Sequence, residues 1–351
     1  MFRNCAIESS SSIKVENQQG QEDDQTTEEM VETNSPNFVY VPERRLDLEN
    51  YFNIYTIIST HLLLSMQDLI NWGFPFFRKG SRVANIRPTV YNKDKKIWLK
   101  REDKMRNCCR CDLEFKLSKN GKKSLGECVH HPYRAIFDLR TCTPIHPCCG
   151  KKFGEAGCKS AKLHVFDQLF LNELEKIVMT PFENGLFDPK SLSIFGIDCE
   201  MVYTIAGPAI GRMTVVNWYG ELVLDVRVNP NVKLLDANTQ FSGLTSEDVK
   251  SAPDCLKSCR QKLFKLINRN SILVGHSLEC DLTALRLSHI RVVDTSILFQ
   301  TTKHKPSLKK LAQEYLGKSI QSDNKNNIGH DSEEDARTCI ELLQHYVKNN
   351  F

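Results

Sequence analysis

Two acidic side chains interrupt an otherwise apolar run at residues 195–201. Asp198 and Glu200 are two positions apart, and in a β-strand this spacing places both side chains on one face, roughly 6 to 7 Å apart. Two carboxylates at that distance in a partly buried site repel by about a few kcal/mol unless a cation intervenes or a proton is taken up. The pair therefore indicates a divalent cation site. One acid lying exposed at the strand end is the structural alternative.

Two further acids stand where helices are predicted to begin. Asp281 follows the residues GHSLEC, and Asp335 follows GHDSEE. Each has a structural alternative: acids in the first turn favour the helix dipole, and Ser332 with Asp335 resembles a capping box. His330 lies five residues before Asp335. Histidine is the side chain that most often accepts a proton near neutral pH, so His330 is a candidate general base.

Cysteine and histidine cluster in the middle of the chain. Eight of the 14 cysteines fall between residues 108 and 158. A CxxC at 108–111 and a CxxH at 128–131 have the reach that tetrahedral zinc requires, and eight ligands would make two closed sites, which stabilise a fold rather than catalyse. The candidate zinc ligands are Cys108, Cys111, Cys128, His131, Cys148, Cys149, Cys158 and His164.

The spacing leaves three choices among these ligands open. Cys109 competes with Cys108, His130 competes with His131, and Cys142 is spare. A disulfide framework is the alternative to zinc, but it is typical of short secreted chains. The N-terminus lacks a basic-then-apolar signal pattern, so we expect a reducing compartment in which the thiols stay free or bind one or two structural zinc ions.

Short β-branched runs alternate with helical patterns from residue 191 onward, which predicts an α/β domain of about 160 residues. The predicted strands are at 193–203, 212–218, 221–228, 271–274 and 292–293. The predicted helices are at 253–267, 278–289, 308–316 and 332–348.

Composition excludes several classes of protein. The 351 residues are 40% hydrophobic with a formal charge of only +4, so the chain is neither disordered throughout nor a histone-like polycation. Its longest apolar run, near residues 54–66, is too polar and too short for a membrane span, and we expect no membrane partner. Residues 91–160 contain 17 Lys and Arg against 8 Asp and Glu, which indicates a basic module.

Six motifs together resemble the DEDD exonuclease superfamily, and within it the RNA exonuclease family of the yeast Rex proteins and their animal homologues. In family order they are DCEMVYT (198–204), RMTVVN (212–217), NTQFSGLT (238–245), LVGHSLECDLTAL (273–285), VVDTSILF (292–299) and GHDSEEDA (329–336). Departures are mild: Cys280 stands where the family has Ser, and the Asn-rich segment 322–328 is irregular. Neither removes a catalytic group.

The resemblance implies an RNase H-like fold, a mixed five-stranded sheet flanked by helices, preceded by a small zinc module similar to the CHORD type. The implied domains are a disordered acidic tail (1–37), a helical segment (38–90), the Cys/His-rich basic zinc module (91–165), a helical linker (166–190) and the exonuclease domain (191–351).

The resemblance also implies the reaction, which is 3'-to-5' removal of 5'-mononucleotides from single-stranded RNA ends. Two Mg or Mn ions would be held by four acids, with His330 as the base. The implied metal-binding acids are Asp198, Glu200, Asp281 and Asp335. Carboxylate oxygens are hard ligands that suit these ions, and two divalent ions stabilise both the attacking and the leaving oxygen. We expect a nuclear enzyme acting on structured or precursor RNA.

Substrate contacts are less specific. On the resemblance, Met201 is a wedge beside the terminal nucleotide, and Tyr203 or Phe241 stacks on a base; buried packing is the alternative for all three. Lys305 belongs to a basic run at residues 303–310 that would grip the RNA backbone, unless the run is only a solvated face.

Two rival functions remain at the level of the sequence. The fold could serve as an RNA- or protein-binding platform without catalysis, which the presence of all four acids and the histidine disfavours. The same chemistry could also act on DNA, because nothing in the sequence reads the 2'-hydroxyl. A protein partner would bind through the zinc module or the acidic tail.

Overall fold

The computed structural model describes residues 48–88, 98–100, 104–117, 126–138, 140–185, 187–301, 304–321 and 329–351. The acidic tail predicted at 1–37 and the Asn-rich segment at 322–328 lie outside these ranges, as does Lys303. Within them, no helix is both long and apolar enough to cross a membrane.

A short helical segment begins the described chain, as predicted. It consists of α1 (Leu48–Ile57), a π-helical turn (Ile58–Leu62) and α2 (Met66–Asn71). Ser65 and Asp68 form a capping box at the start of α2, which satisfies two backbone N–H groups. The Leu64 N–H donates to the Val292 carbonyl at 3.0 Å, so the segment docks on the edge of the α/β domain.

Seven short strands make up the Cys/His module: β1 (Trp98–Leu99), β2 (Met105–Asn107), β3 (Glu114–Lys116), β4 (Cys128–His130), β5 (Ile136–Asp138), β6 (Thr143–Ile145) and β7 (Lys159–Ala161). β2 pairs with β3, β4 with β7, and β5 with β6, all antiparallel. The buried core of the module is small: Leu99, Cys108, Phe115, Cys128 and Phe166. A core of this size rarely stabilises a fold without disulfides or metal.

The connection to the α/β domain differs from the predicted helical linker. It contains β8 (Leu169–Phe170), a 3-10 helix (Leu171–Lys176), β9 (Val178–Met179) and a second 3-10 helix (Pro189–Leu192). β8 pairs with β1 of the module, and β9 pairs with residues 287–288. Pairing at both ends leaves seven residues between the strands, so tertiary contacts override the local helical pattern.

The α/β domain has one mixed sheet with helices on both faces. Its strands are β10 (Ile194–Thr204), β11 (Gly207–Asn217), β12 (Leu222–Arg227), β13 (Leu234–Asp236), β14 (Ile272–Gly275), β15 (Leu287–Ser288) and β16 (Val292–Asp294). Its helices are α3 (Thr239–Ser242), α4 (Ser246–Ser251), α5 (Leu256–Leu266), α6 (Leu278–Ala284), α7 (Thr295–Leu298), α8 (Leu308–Leu316) and α9 (Ser332–Asn350).

Sheet topology confirms the predicted mixed five-stranded sheet. The order is β12-β11-β10-β14-β16, and β13 adds a short sixth strand against β10. β12, β11 and β10 are antiparallel, whereas β14 and β16 run parallel to β10. The helix predicted at 278–289 is shorter, because Arg286 adopts a left-handed conformation (φ 53°) and turns the chain into β15.

The central strand β10 is packed from both faces. Ile197, Met213 and Leu263 belong to the core under α5 and α6, and the opposite core lies under α8 and α9. Gly196 lies so close to α9 that an added Cβ would stand 2.6 Å from the Ala336 carbonyl oxygen. This close approach brings the first turn of α9 next to the acidic end of β10.

Candidate active site

The acids of β10 follow the point where the strand loses its parallel neighbour. β14 pairs with β10 only as far as Gly196, and the chain then turns into α6. Asp198 is partly exposed beyond this point and Glu200 is buried. Both α6 and α9 contact β10 beside the gap that β14 leaves.

Asp281 and Asp335 occupy those two helix starts, and neither is needed as a cap. α6 is capped by Asp294, whose carboxylate accepts from the Ser277 and Leu278 N–H groups. The alternative that Ser332 and Asp335 form a capping box is wrong. The N-cap of α9 is Asp331, and the Ser332 hydroxyl instead lies 2.7 Å from that of Thr214.

Among the four acids, Asp198 interacts electrostatically with each of the other three. Burial raises the pKa of Glu200 to about 9, and the charges of Asp198 and Asp335 add to this effect. Burial also raises the pKa of Asp335 to about 7, while a hydrogen bond from Gln321 opposes the shift. The pKa values of Asp198 and Asp281 lie well above the usual range, again mainly through burial.

Two carboxylate oxygens of this cluster are buried without a hydrogen-bond partner among the described residues, Glu200 Oε1 and Asp335 Oδ1. The other oxygen of Asp335 accepts from Gln321 Nε2 at 2.8 Å. An unpaired buried acceptor is costly, and a set of mutually repelling carboxylates is costlier still. Bound divalent cations remove both costs, so these residues fit Mg or Mn.

Arg212 is the nearby cation that opposes these shifts, lowering the pKa values of Asp198 and Glu200. It stands directly opposite Glu200 in the β10–β11 register. Its guanidinium makes a bidentate pair with Asp225 at 2.8 and 3.0 Å, so its charge is largely shared. Sequence reasoning assigned no role to Arg212 or Gln321, because strand register and loop placement are not visible in the motif.

His330 lies beside the acids, with Nδ1 3.8 Å from Asp335 Oδ2. Its backbone N–H donates to the Phe241 carbonyl at 2.7 Å, and its ring meets the Phe241 ring edge-on at 6.0 Å. Gly329 has φ of 96°, and a Cβ there would overlap the backbone of Gly243. The turn around α3 therefore sets the position of the imidazole.

The proposed substrate residues occupy three different environments. Met201 follows a bulge after Glu200 and packs partly against the core. Tyr203 lies under the Arg110 guanidinium at 5.3 Å and hydrogen-bonds with Cys109, so the Cys/His module already engages it. Phe241 contacts both His330 and Tyr133 of the module, at 6.0 and 5.7 Å between ring centroids. It is therefore in direct contact with the predicted base.

Lys305 is not available to RNA in this structure, which corrects its assignment as a substrate residue. Its ammonium donates to both oxygens of Glu279 at 2.7 and 2.8 Å. It also lies 4.9 Å from the centroid of the Trp72 ring, with a side chain only 17% exposed. Because Glu279 is half-buried at the start of α6, the lysine neutralises it and becomes part of the support for Asp281.

Two groups of four Cys/His ligand atoms lie in the module, each within 4.8 Å: Cys108, Cys111, Cys128 and His164 in one, and His131, Cys148, Cys149 and Cys158 in the other. Contacts within the groups include Cys108 to Cys128 Sγ at 3.7 Å and Cys149 Sγ to His131 Nδ1 at 3.4 Å. A tetrahedral zinc with bonds of about 2.3 Å to sulfur places its ligands about 3.8 Å apart. Both groups therefore fit zinc, and no disulfide joins the cysteines in the described part of the chain.

Comparison with known proteins places this architecture in a family. Residues 195–343 match the family model described as RNase_T, Exonuclease. A Caenorhabditis elegans protein, pqe-1, named as an RNA exonuclease, is 44% identical over 317 residues, 88% of this chain and 19% of its own. Human RNA exonuclease 1 homolog is 34% identical over 287 residues, covering 80% of this chain and 23% of its own.

RNA exonuclease 3 of Saccharomyces cerevisiae is 35% identical over 244 residues, 68% of this chain and 58% of its own. The chain belongs to the RNA exonuclease family. It spans about a fifth of the length of the animal relatives and rather more than half of the yeast one. All four predicted acids and His330 lie inside the matched exonuclease domain.

The two Cys/His groups favour one option in each choice that spacing left open in this chain. Cys108 rather than Cys109 joins the first group, and His131 rather than His130 joins the second, while Cys142 lies outside both. The CxxH at 128–131 is split, with its cysteine in one group and its histidine in the other. Each of the eight candidate ligands belongs to one of the two groups. Their division between the groups differs from the division that the motif spacing suggests.

We expect this chain to bind two zinc ions, and Cys128→Ser to reduce the content to about one. Cys128 is fully buried in the module core, and structural zinc supplies much of the folding free energy of small modules. Metal analysis by mass spectrometry measures the stoichiometry. The matched control is Cys142→Ser, an exposed thiol outside both groups. An equal loss of zinc in both variants would contradict the ligand assignment.

Proposed function

We propose that this chain is a divalent-metal-dependent exoribonuclease that removes 5'-mononucleotides from single-stranded RNA in the 3'-to-5' direction. The observation that carries the proposal is the cluster of Asp198, Glu200, Asp281 and Asp335, with two orphaned buried oxygens, beside His330. The names of the relatives, which are RNA exonucleases, favour RNA as substrate. The proposed compartment is the nucleus, where precursor RNA ends arise.

The four acids would hold two Mg or Mn ions. When bound, such ions supply a deprotonated water and neutralise charge on the phosphate and on the leaving 3'-oxygen. The chain's own contribution is a rigid carboxylate frame: α6 and α9 fix Asp281 and Asp335 against β10, and Gln321 holds one oxygen of Asp335 at 2.8 Å. Preorganised charge of this kind needs no rearrangement during the reaction.

His330 is the proposed general base. Its ring is about one-third exposed, with 35% of the side chain accessible, so a water proton can reach it and leave to solvent. Asp335, 3.8 Å from Nδ1, favours the imidazolium that forms when the proton is accepted. The contacts with Phe241 hold the ring beside the acids.

A time course on a 5'-labelled, unstructured 12-nucleotide RNA tests the proposal. With Mg present we expect a ladder that shortens one nucleotide at a time from the 3' end, together with 5'-monophosphates. A circular RNA of the same sequence should be untouched, because an exonuclease needs an end. The matched DNA strand measures sugar preference. Internal fragments, or no release with Mg or Mn, would favour an endonuclease or the binding platform.

A further inference from the structure

The zinc module and the exonuclease domain form the two walls of a cleft of about 880 Å³. Tyr133, Arg134 and Phe153 line it from the module, and Tyr203 and Phe241 from the exonuclease domain. The residues that make the cleft are distinct from the four acids. No role in the reaction has been given to its module wall.

Polar contacts hold these two walls in a fixed relation. Arg110 of the module donates to Asp236 at 2.6 Å and to Asn238 at 3.2 Å, and its side chain is only 14% exposed. Lys159 donates to Gln240 at 2.9 Å. These partners lie at the start of α3: Asp236 and Asn238 precede the helix and Gln240 is within it. The same turn that positions His330 therefore also anchors the module.

The cleft leads directly to the proposed base. Phe241, which lines the cleft, contacts both Tyr133 and His330, at 5.7 and 6.0 Å between ring centroids. Tyr133 therefore lies within about 12 Å of His330. At about 3.4 Å for each stacked nucleotide, this distance corresponds to three or four nucleotides of a strand whose 3' end is at the acids.

The module wall offers the groups that bind an unpaired strand. Tyr133 is 40% and Phe153 72% exposed. Exposed apolar groups that gather beside a cleft indicate a binding surface. Arg134 is exposed, and its guanidinium pairs with no acid in the described part of the chain. Aromatic rings that stack on bases, next to a cation for phosphate, are typical of single-strand binding surfaces.

We propose that this cleft binds the RNA strand a few nucleotides upstream of its 3' end, with Tyr133 and Phe153 stacking on bases and Arg134 contacting a phosphate. The inference rests on the proposed function and adds a substrate path to it. The net charge of +9 over residues 91–160 favours a polyanion over a protein partner on this wall. Two acids, Asp112 and Glu155, also line the cleft, so the phosphate contact is assigned to Arg134, the lining cation without an acid partner among the described residues.

The test is a double variant, Arg134→Ala with Phe153→Ala, against a matched control on the same module, Arg140→Ala with Phe137→Ala. Arg140 and Phe137 are equally exposed but do not line the cleft. We measure hydrolysis of a 12-nucleotide RNA and of a dinucleotide, which reaches only the acids, and zinc content as a check on folding. Anisotropy of the labelled 12-mer without Mg measures binding independently of catalysis.

The cleft variant is expected to bind the 12-mer about 10-fold more weakly and to raise its KM in proportion, because one stacked base and one phosphate contact are lost. Its kcat and its activity on the dinucleotide should not change. The slope of log affinity against log salt should fall by about one for Arg134. Unchanged affinity, or an equal loss in the control variant, would overturn the inference.

Failure of this inference is distinguishable from failure of the proposed function. If the wild-type chain degrades both RNAs and the cleft variant binds RNA normally, the proposed exonuclease activity stands. The module wall is then assigned to a protein partner instead of RNA. A wild-type chain that degrades neither RNA refutes the proposed function. In that case the anisotropy comparison still decides whether the cleft binds RNA.

Discussion

Asp198→Asn is expected to lower the hydrolysis rate by about 10³-fold or more at saturating Mg. Asp198 interacts with each of the other three acids, so it is the carboxylate best placed to be shared between two cations. Divalent ions contribute several kcal/mol of charge stabilisation in such reactions, and each 1.36 kcal/mol is about tenfold in rate. Single-turnover shortening of a 5'-labelled RNA measures the effect.

The same substitution should make the Mg-free protein more stable. A carboxyl whose pKa is raised by folding binds more protons in the folded than in the unfolded state, so its ionisation at neutral pH opposes folding. Burial raises the pKa of Asp198 well above its usual range, and asparagine removes that charge. We expect Tm without Mg to rise by about 2 to 4 °C for each kcal/mol relieved, and the further rise on adding Mg to shrink.

Glu247→Gln is the matched control for Asp198→Asn. Glu247 is an exposed acid in α4, so its loss should change neither the rate nor the response to Mg. The assignment would be contradicted by an Asp198→Asn variant that keeps its rate. A variant that loses both rate and Tm has merely unfolded, and only the combination of lost rate with retained or raised Tm supports the site.

Much of the exonuclease domain could be predicted from the sequence because its strands are strongly patterned. The β-branched runs that gave β10, β11 and β12 follow one another directly, and those that gave β14 and β16 each follow a helical pattern. Their order along the chain needed no tertiary information. The four acids could be singled out because they lie in motifs that resemble those of the exonuclease family. What a pattern cannot show is the partner across the sheet, which is why Arg212 opposite Glu200 was missed.

Side-chain pairing across long sequence separations explains the remaining misses. In the sequence Lys305 belongs to a basic run, but in the structure its ammonium forms an ion pair with Glu279, 26 residues earlier. Asp331 rather than Ser332 caps α9, because Ser332 is drawn into the core by Thr214, 118 residues away. In each case two residues that are distant in sequence meet only in the folded chain, and this contact gives one of them a role that its local sequence does not indicate.

The division of zinc ligands has the same origin. The CxxH spacing of Cys128 and His131 suggests one ion, yet β4 pairs with β7 so that His130 faces Lys159. His131 is thereby carried next to Cys158, which precedes Lys159 in the chain. Cys128, at the other end of β4, instead joins Cys108 in the core, with 3.7 Å between their Sγ atoms. Strand register, not motif spacing, decides which ion each ligand would serve.

His330→Ala is expected to lower kcat by about 10² to 10⁴-fold, the usual contribution of a positioned general base, while Mn binding is retained. The histidine contacts Asp335 only at 3.8 Å, which is too long for a strong hydrogen bond, so the acids should keep their arrangement without it. Calorimetric titration of Mn and single-turnover kinetics together separate the two effects. Loss of Mn binding in this variant would show that the histidine serves the metal site instead.

His61→Ala is the control for removal of an imidazole. Its ring contacts Phe351 at the far end of α9, the helix that begins beside His330. A 19-residue helix is about 28 Å long, so this histidine is remote from the acids. Its removal should leave kcat unchanged.

Gly329→Ala tests the position of the imidazole without removing it. A Cβ at this position would overlap the Gly243 backbone, whereas at Gly317, which also has positive φ, it would meet nothing within 4 Å. Gly317→Ala therefore imposes a similar backbone strain without the overlap. We expect Gly329→Ala to lower kcat by about 10²-fold, since a 1 Å misplacement can cost that much, and Gly317→Ala to leave it unchanged. Equal effects would mean that strain alone, and not the contact with the α3 turn, governs the position of His330.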